Sequence, residues 1–136
     1  GDSVSAVAFN HDGSLVATGS EDKKLRLVEV ASGAVIREVE HGDWVLAVAF
    51  NHDGSLVATG SEDKKLRLVE VASGAVIREV EHGGSVLAVA FNYNGTLVAT
   101  GSEDKRFRLV KVASGAVVRE VDYVERVTSV AFNHDG

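Results

Sequence analysis

Apolar and polar residues are arranged along this chain in short blocks, and residues typical of turns separate the blocks. In residues 42–82, the block VLAVAF at 45–50 is apolar almost throughout, which is typical of a strand buried on both faces. NHDGS follows, and its Asp53-Gly54 pair tolerates tight turn geometry. LVATGS at 56–61 is a second apolar block, which ends at Glu62-Asp63-Lys64. These blocks predict two strands, each followed by a turn.

The second half of the same segment is more polar. Residues 65–71 alternate between polar and apolar side chains, which predicts a half-exposed third strand. Ser73-Gly74 predicts another turn, and AVIREVE at 75–81 a fourth strand. A helix over 75–81 is the alternative, but a β-branched run framed by glycine favours a strand. The gradient from apolar to charged predicts a four-stranded sheet whose first strand is innermost and whose last strand faces water.

This pattern recurs with a period of 41 residues, as the spacing of Phe9, Phe50, Phe91 and Phe132 shows. The repeat divides the chain into units 1–41, 42–82 and 83–123, and a partial fourth unit, 124–136. The first two units differ only at Ser3 against Trp44 and at Ser5 against Leu46. A fixed period of this length predicts a repeat architecture in which neighbouring units share a core.

Five elements of the unit, His41, VLAVAF, NHDG, LVATGSED and LRLVEV, resemble in order and spacing the repeat of the WD-repeat family of β-propellers. The resemblance covers essentially the whole chain. It implies an all-β fold with propeller blades of four antiparallel strands, namely three blades plus one extra inner strand over residues 126–133. The Trp-Asp dipeptide that names the family is absent, and its positions hold Val28-Glu29, Val69-Glu70 and Val110-Lys111.

The resemblance also implies a buried hydrogen-bonded set of a histidine, a Ser or Thr, the turn Asp and that Trp. With valine in place of the Trp, at most a triad remains, and we expect blades that are less rigidly specified. A hydrolase triad is the competing interpretation, but an active site repeated in every unit is hard to reconcile with catalysis. The first unit has no preceding histidine, and Tyr123 stands in its place before the fourth. The implied structural residues are His41, Thr59 and Asp63 in the second unit and His82, Thr100 and Asp104 in the third.

The units diverge most informatively at the loop that enters the first strand. Ser3, Trp44, Ser85 and Arg126 share one position, and Ser5, Leu46, Leu87 and Thr128 share another. An exposed Trp44 is a candidate binding anchor, and the alternative is that it packs against a neighbouring blade. In the family, the position before the turn Asp lies on the partner-binding rim, where carboxylates either bind basic peptides or are merely solvated. The candidate rim residues are therefore Trp44, Leu46, Leu87, Arg126, Glu21, Glu62 and Glu103.

Two further groups of polar residues receive a structural interpretation. His11, His52 and His134 precede Asp-Gly in successive copies of one turn. Imidazoles are metal ligands, but we expect these to lie far apart around a ring and to be solvated. Arg26 and its counterparts alternate with apolar residues and are predicted to face water. The sequence therefore predicts no metal site and no cofactor.

The composition and net charge of the chain argue against several classes of binding partner and of chemistry. The net charge of −6 argues against nucleic acid and against anionic membranes, because both attract clustered positive charge. Without cysteine the chain has no disulfide, thiolate metal site or thiol chemistry. We see no leader-like segment at the start and expect a cytoplasmic location.

Three units do not close a propeller, which needs about four to eight blades. We therefore expect a homo-oligomer, with six blades from a dimer or nine from a trimer, and the extra strand as an exchanged clasp. A longer propeller that has been truncated is the alternative. The expected function is non-catalytic binding of a protein or peptide. The alternatives are a designed or recently amplified self-assembling scaffold without a natural ligand and, ranked last, a hydrolase that uses the central pocket.

Overall fold

The computed structural model describes residues 3–133, which form twelve strands in three four-stranded antiparallel sheets. This confirms the predicted all-β fold and the predicted propeller blades. Residues 3–133 contain no helix of the length and apolarity needed to cross a membrane. The strands are β1 (Val4–Phe9), β2 (Leu15–Ser20), β3 (Lys24–Glu29), β4 (Val35–Glu40), β5 (Val45–Phe50), β6 (Leu56–Ser61), β7 (Lys65–Glu70), β8 (Val76–Glu81), β9 (Val86–Phe91), β10 (Leu97–Ser102), β11 (Arg106–Lys111) and β12 (Val117–Asp122).

Each blade is a meander in which consecutive strands pair, in the orders β1-β2-β3-β4, β5-β6-β7-β8 and β9-β10-β11-β12. The first two strands of the second blade begin and end where the sequence predicts. β8 is a strand, so the helical alternative for residues 75–81 is wrong. The first strands of neighbouring blades lie side by side, with β5 between β1 and β9. In the second and third blades the fourth strand is the most exposed, as the polarity gradient predicts, whereas in the first blade β1 is as exposed as β4.

The blades pack face to face through two apolar clusters of nearly the same composition. The rear face of the first blade contributes Ala17, Leu25 and Leu27, which pack on the front face of the second blade. Ala58, Leu66 and Leu68 repeat the arrangement against the third blade. The front-face residues are Val48, Phe50, Val57, Val69 and Val71 in the second blade and Val89, Phe91, Val98, Val110 and Val112 in the third.

A glycine in each second strand lets the next blade approach closely. A Cβ atom added to Gly60 would lie 2.6 Å from the carbonyl oxygen of Val86, so only glycine fits there. Gly19 stands in the same relation to Val45. Val45 and Val86 are consequently 0% exposed, whereas Val4, which has no preceding blade, is 57% exposed.

Residues 124–133 take the inner position that the sequence predicts for an extra strand, but they pair with no strand of the described chain. The Val127 N–H donates to the carbonyl of Ser102 at 3.0 Å. Val127 also lies over Gly101, as Val45 lies over Gly19. A first strand forms its ladder with the second strand of its own unit, and the 136 residues include no second strand for the fourth unit. The segment is therefore seated against the third blade without a ladder.

The turns after the first strands converge, and the prediction that His11 and His52 lie far apart is wrong. The ring centroids of His11 and His52 are 4.2 Å apart, and those of His52 and Tyr93 are 4.4 Å apart. Because these turns follow neighbouring inner strands, they meet at one edge of the molecule. His134 lies outside the described residues.

Candidate functional site

One edge of the molecule collects the predicted recognition residues, and we call it the entry rim. It consists of the loops into the first strands, 41–44, 82–85 and 123–126, and of the turns after the second strands, 21–23, 62–64 and 103–105. Antiparallel pairing brings these segments to the same edge. Backbone bonds then join them in pairs: Glu21 N to Ser3 O at 3.0 Å, Glu62 N to Trp44 O at 2.9 Å and Glu103 N to Ser85 O at 3.0 Å.

Trp44 is held by its backbone while its side chain remains accessible. Its N–H donates to Asp43 Oδ1 at 2.8 Å, and its carbonyl accepts from the Ser61 hydroxyl at 2.8 Å. The residue is 40% exposed. A fixed backbone and a partly exposed indole favour the binding-anchor interpretation, because the backbone at this position has little conformational entropy left to lose on binding.

The other candidate rim residues differ in accessibility. Arg126 Nη1 lies 3.3 Å from Glu103 Oε2, and both side chains are exposed, so one carboxylate of the rim is already paired. Glu62 is exposed and Glu21 half-buried. Leu46 and Leu87 are half-buried in β5 and β9, which places them below the rim and not on it.

Directly beneath the rim, each of the two preceding-loop histidines bonds to a buried threonine. His41 Nε2 lies 2.8 Å from Thr59 Oγ1, and His82 Nε2 lies 2.8 Å from Thr100 Oγ1. Burial lowers the pKa of both histidines, and the nearby guanidinium groups of Arg67 and Arg108 lower it further. The lowered pKa therefore keeps both imidazoles neutral, which is the form that suits a hydrogen bond to a threonine hydroxyl.

The turn aspartate of each unit belongs to a different pair. Asp63 Oδ2 accepts from the Gly42 N–H at 3.2 Å and from Arg67 Nη2 at 2.5 Å. Burial raises the pKa of Asp63, but the hydrogen bond and charge of Arg67 outweigh this effect and leave the pKa below its ordinary value. Among the hydrogen bonds of residues 3–133, none joins Asp63 to His41. The implied set is thus divided into a His-Thr pair and an Asp-Arg pair.

The arginine of this second pair contradicts the prediction that Arg26 and its counterparts face water. Arg67 is 5% exposed and Arg108 is 4% exposed, because the preceding blade covers them. Their Nη1 atoms are buried and have no hydrogen-bond partner in the described part of the chain. Arg26 is half-buried, since no blade precedes its own. The available signal was the recurrence in every unit of an aspartate four residues before the arginine and an acidic residue twelve after it.

The described residues 3–133 provide no metal centre at the rim, and the largest cavity described lies at one end of it. Residues 3–133 contain no group of three or more His, Asp or Glu side chains that are placed to hold a metal ion. The largest cavity described, about 670 Å³, lies at the third-blade end of the rim, between the rim loop 123–126, Phe107 on the rear face of the third blade and the residues that follow the loop.

The sequence was compared with known families and proteins. The profile of the family "WD domain, G-beta repeat" matches residues 1–29, 33–70 and 74–110. The chain belongs to this family. Its WD repeats therefore tolerate Val28, Val69 and Val110 at the position of the eponymous tryptophan. The comparison with curated proteins found no match.

Solved structures agree with this assignment at the level of the fold. A structure of U3-55K superposes with a TM-score of 0.89 at 20% identity, over 94% of this chain and 42% of that one. The crystal structure of RRP9 WD40 repeats gives the same TM-score of 0.89 and 20% identity, over 94% of this chain and 41% of that one. The WD-repeat chain described here thus spans less than half the length of either relative.

Proposed function

We propose that this WD-repeat protein is a non-catalytic scaffold that binds a protein or peptide at the entry rim. The WD-repeat propeller fold by itself suggests an interaction scaffold. The observation that carries the proposal to a site is Trp44, because its indole is partly exposed on a fixed backbone where the first two units differ. Large aromatic side chains of this kind supply much of the binding energy at protein interfaces.

The charges of the rim favour a basic ligand. Glu62 lies next to Trp44, because its backbone N–H donates to the Trp44 carbonyl, and its carboxylate is exposed. The carboxylate of Glu103 is partly neutralised by Arg126. Glu21, at the same position in the first unit, adds a third carboxylate to the rim. Together with the net charge of −6, this arrangement favours a peptide that carries an apolar side chain for Trp44 and a Lys or Arg beside it.

We further propose that copies of the chain complete the propeller. The front face of the first blade exposes Val7, Phe9 and Val30, whose counterparts in the second blade pack against a preceding blade. Exposed apolar surface of this kind calls for a partner. Two copies supply six blades, which lies within the range of about four to eight that closes a ring, so a dimer is favoured over a trimer.

The alternative is a designed or recently amplified scaffold that assembles but has no natural ligand. The near-identity of the first two units supports it, whereas the divergence at Trp44 supports a ligand. A hydrolase is disfavoured by the position of the only histidine-bonded hydroxyls described within residues 3–133. Thr59 and Thr100 are fully buried, and a nucleophile must reach its substrate.

The experiment is binding of the purified protein to an array of basic peptides that vary in one apolar residue. Trp44→Ala should lower the affinity at least tenfold, and Glu62→Gln should lower it less. Glu103→Gln is the matched control, because Arg126 already pairs with that carboxylate. Binding that is unchanged in Trp44→Ala would refute the rim site, and failure to bind any peptide would support the scaffold without a ligand.

A further inference from the structure

An arginine on the fourth strand of the first and second blades reaches across to the next blade. Arg37 Nε donates to the carbonyl of Val71 at 3.1 Å, and its Nη2 donates to the carbonyl of Ala72. Arg78 repeats both bonds to the third blade. Each guanidinium thus holds two successive carbonyls at the turn between the third and fourth strands of its neighbour.

Arg119 occupies the same position in the third blade. It keeps the local bond of the other two arginines, since its Nη1 donates to the Val118 carbonyl at 3.1 Å. In the described part of the chain it makes no bond to a following blade. Its remaining donors are therefore available to a further blade.

The matching half of this contact is open on the first blade. A Cβ atom on Gly74 would lie 3.2 Å from Arg37 Cδ, and one on Gly115 would lie 3.4 Å from Arg78 Cδ. Around Gly33, the counterpart in the first blade, no atom lies within 4 Å of that position. The first blade thus has a vacant arginine position, and Val30 and Ala31 correspond to Val71 and Ala72.

The apolar faces on the two ends match in the same way. Val7 and Phe9 on the front face of the first blade are 61% and 63% exposed. Their counterparts Val48 and Phe50 pack on the rear face of a preceding blade. On the rear face of the third blade, Phe107 lines the cavity of about 670 Å³. The ends therefore present the two halves of an interface that the chain already forms twice internally.

We propose that a second copy docks head-to-tail through these halves, so that Arg119 of one copy holds the carbonyls of Val30 and Ala31 of the other. The inference rests on the proposed assembly and specifies its contacts. It continues an interface that is established between the blades of one chain, with a heterologous geometry that closes into a ring.

Residues 127–133 must then exchange with β1 of the second copy, so that Val130 and Phe132 take the front-face positions of Val7 and Phe9. They already hold the inner position on the third blade, through Val127 on Gly101. Residues 127–136 repeat residues 4–13 except at Thr128 and Ser129, so they can form the same ladder with β2 of the second copy. The register of Ala8 opposite Ala17 then places Ala131 opposite Ala17 of the second copy.

The first experiment is the mass of the full chain in solution, measured by light scattering over a range of concentrations. We expect the mass of two chains. Arg119→Ala should raise the dissociation constant about 100- to 10,000-fold, since hydrogen bonds from a charged group, worth roughly 10- to 100-fold at each interface, are lost at both interfaces of the ring. Arg106→Ala is the control. It removes the same charge from the same blade, but the Arg106 side chain pairs with Asp122 and Glu120 of its own blade. If Arg119→Ala does not fold, by circular dichroism, then Arg119→Lys replaces it.

The outcomes separate the inference from the assembly on which it rests. A wild-type chain that stays at the mass of one chain overturns both. A dimer that Arg119→Ala leaves unchanged overturns the arginine contact alone. As an independent check of direction, Val30→Glu and Phe107→Glu should each prevent dimerisation, whereas a mixture of the two should form a dimer through the one intact interface. A mixture that stays monomeric overturns the head-to-tail geometry.

The strand exchange can be tested separately by disulfide crosslinking, because the chain contains no cysteine of its own. Ala17→Cys with Ala131→Cys should give a covalent dimer on oxidation. Ala17→Cys with Ala8→Cys reports the unexchanged strand by an intrachain disulfide. A dimer in solution that crosslinks only through the second pair would overturn the exchange.

Discussion

His41 Nε2 lies 2.8 Å from the hydroxyl oxygen of Thr59, and both side chains are buried beneath the entry rim. Burial lowers the pKa of His41 from its ordinary value of 6.5, and His82 behaves alike. As the pH falls below 6.5, the unfolded chain therefore binds more protons than the folded one. The free energy of unfolding must decrease over this interval until the pH reaches the folded-state pKa values.

We predict that urea unfolding between about pH 7.5 and 5 shows this decrease only below about pH 6.5. The double variant His41→Gln and His82→Gln keeps a hydrogen-bonding group at each threonine but removes the titration. Its free energy of unfolding should vary less over the same interval. An equal pH dependence in both proteins would show that other groups are responsible.

Arg67→Ala is predicted to destabilise the fold far more than Arg26→Ala. Arg67 is 5% exposed and bonds to Asp63 and Glu79, so its removal leaves a shielded carboxylate without its partner. Breaking such a pair costs about 3–5 kcal/mol. Arg26 makes the same contacts where solvent reaches them, and its loss should cost less. Urea unfolding of the two variants provides the measurement, and equal losses would contradict the argument.

Gly60→Ala and Gly101→Ala place the same methyl group in two different surroundings. Each Cβ atom would lie 2.6 Å from a carbonyl oxygen, of Val86 in one case and of Val127 in the other. Val86 belongs to the ladder of the third blade, so Gly60→Ala should cost about 1–3 kcal/mol of the free energy of unfolding. Residues 124–133 have no ladder within a single chain, so in the monomer we expect Gly101→Ala to displace them at a smaller cost, whereas in the proposed dimer the two costs should be similar.

Hydrogen exchange of the Val127 amide distinguishes these outcomes. Its bond to Ser102 should protect it in the wild type and no longer do so in Gly101→Ala. Unchanged protection in that variant would mean that the third blade itself adjusts.

Three lysines provide a test of backbone strain. Lys23, Lys64 and Lys105 have φ values of 72°, 71° and 69°, a region that side chains other than glycine disfavour. Replacing Lys64 with glycine should raise the free energy of unfolding by roughly 0.5–1 kcal/mol, because the relief of strain exceeds the added entropy of the unfolded chain. Lys64→Ala is the control, since it removes the side chain and keeps the strain. A gain in the alanine variant of the same size would assign the effect to charge.

The repeat made the fold predictable from sequence. A 41-residue period, a gradient of polarity and turn residues in register define four strands, and VLAVAF and LVATGS in the second unit coincide with β5 and β6. The prediction that these loops and turns share a rim came from the resemblance to the WD-repeat family, and the antiparallel pairing of the strands explains it.

Contacts between blades could not be predicted in this way. The alternation of polar and apolar residues places Arg67 on the polar face of β7. That face is buried only because the preceding blade covers it. The position of the His52 ring between the rings of His11 and Tyr93 likewise depends on how closely the inner strands approach each other. The sequence of one unit carries no information about the distance to the next.

Val4 and Val45 are the same residue at the same position of a blade, yet one is 57% exposed and the other 0%. Most of the burial of an inner strand is thus supplied by the neighbouring unit. Folding free energy in this molecule resides in the junctions, as in a one-dimensional array with nearest-neighbour coupling. A single excised unit should have almost no stability of its own, and the addition of each unit should contribute one whole junction to cooperativity.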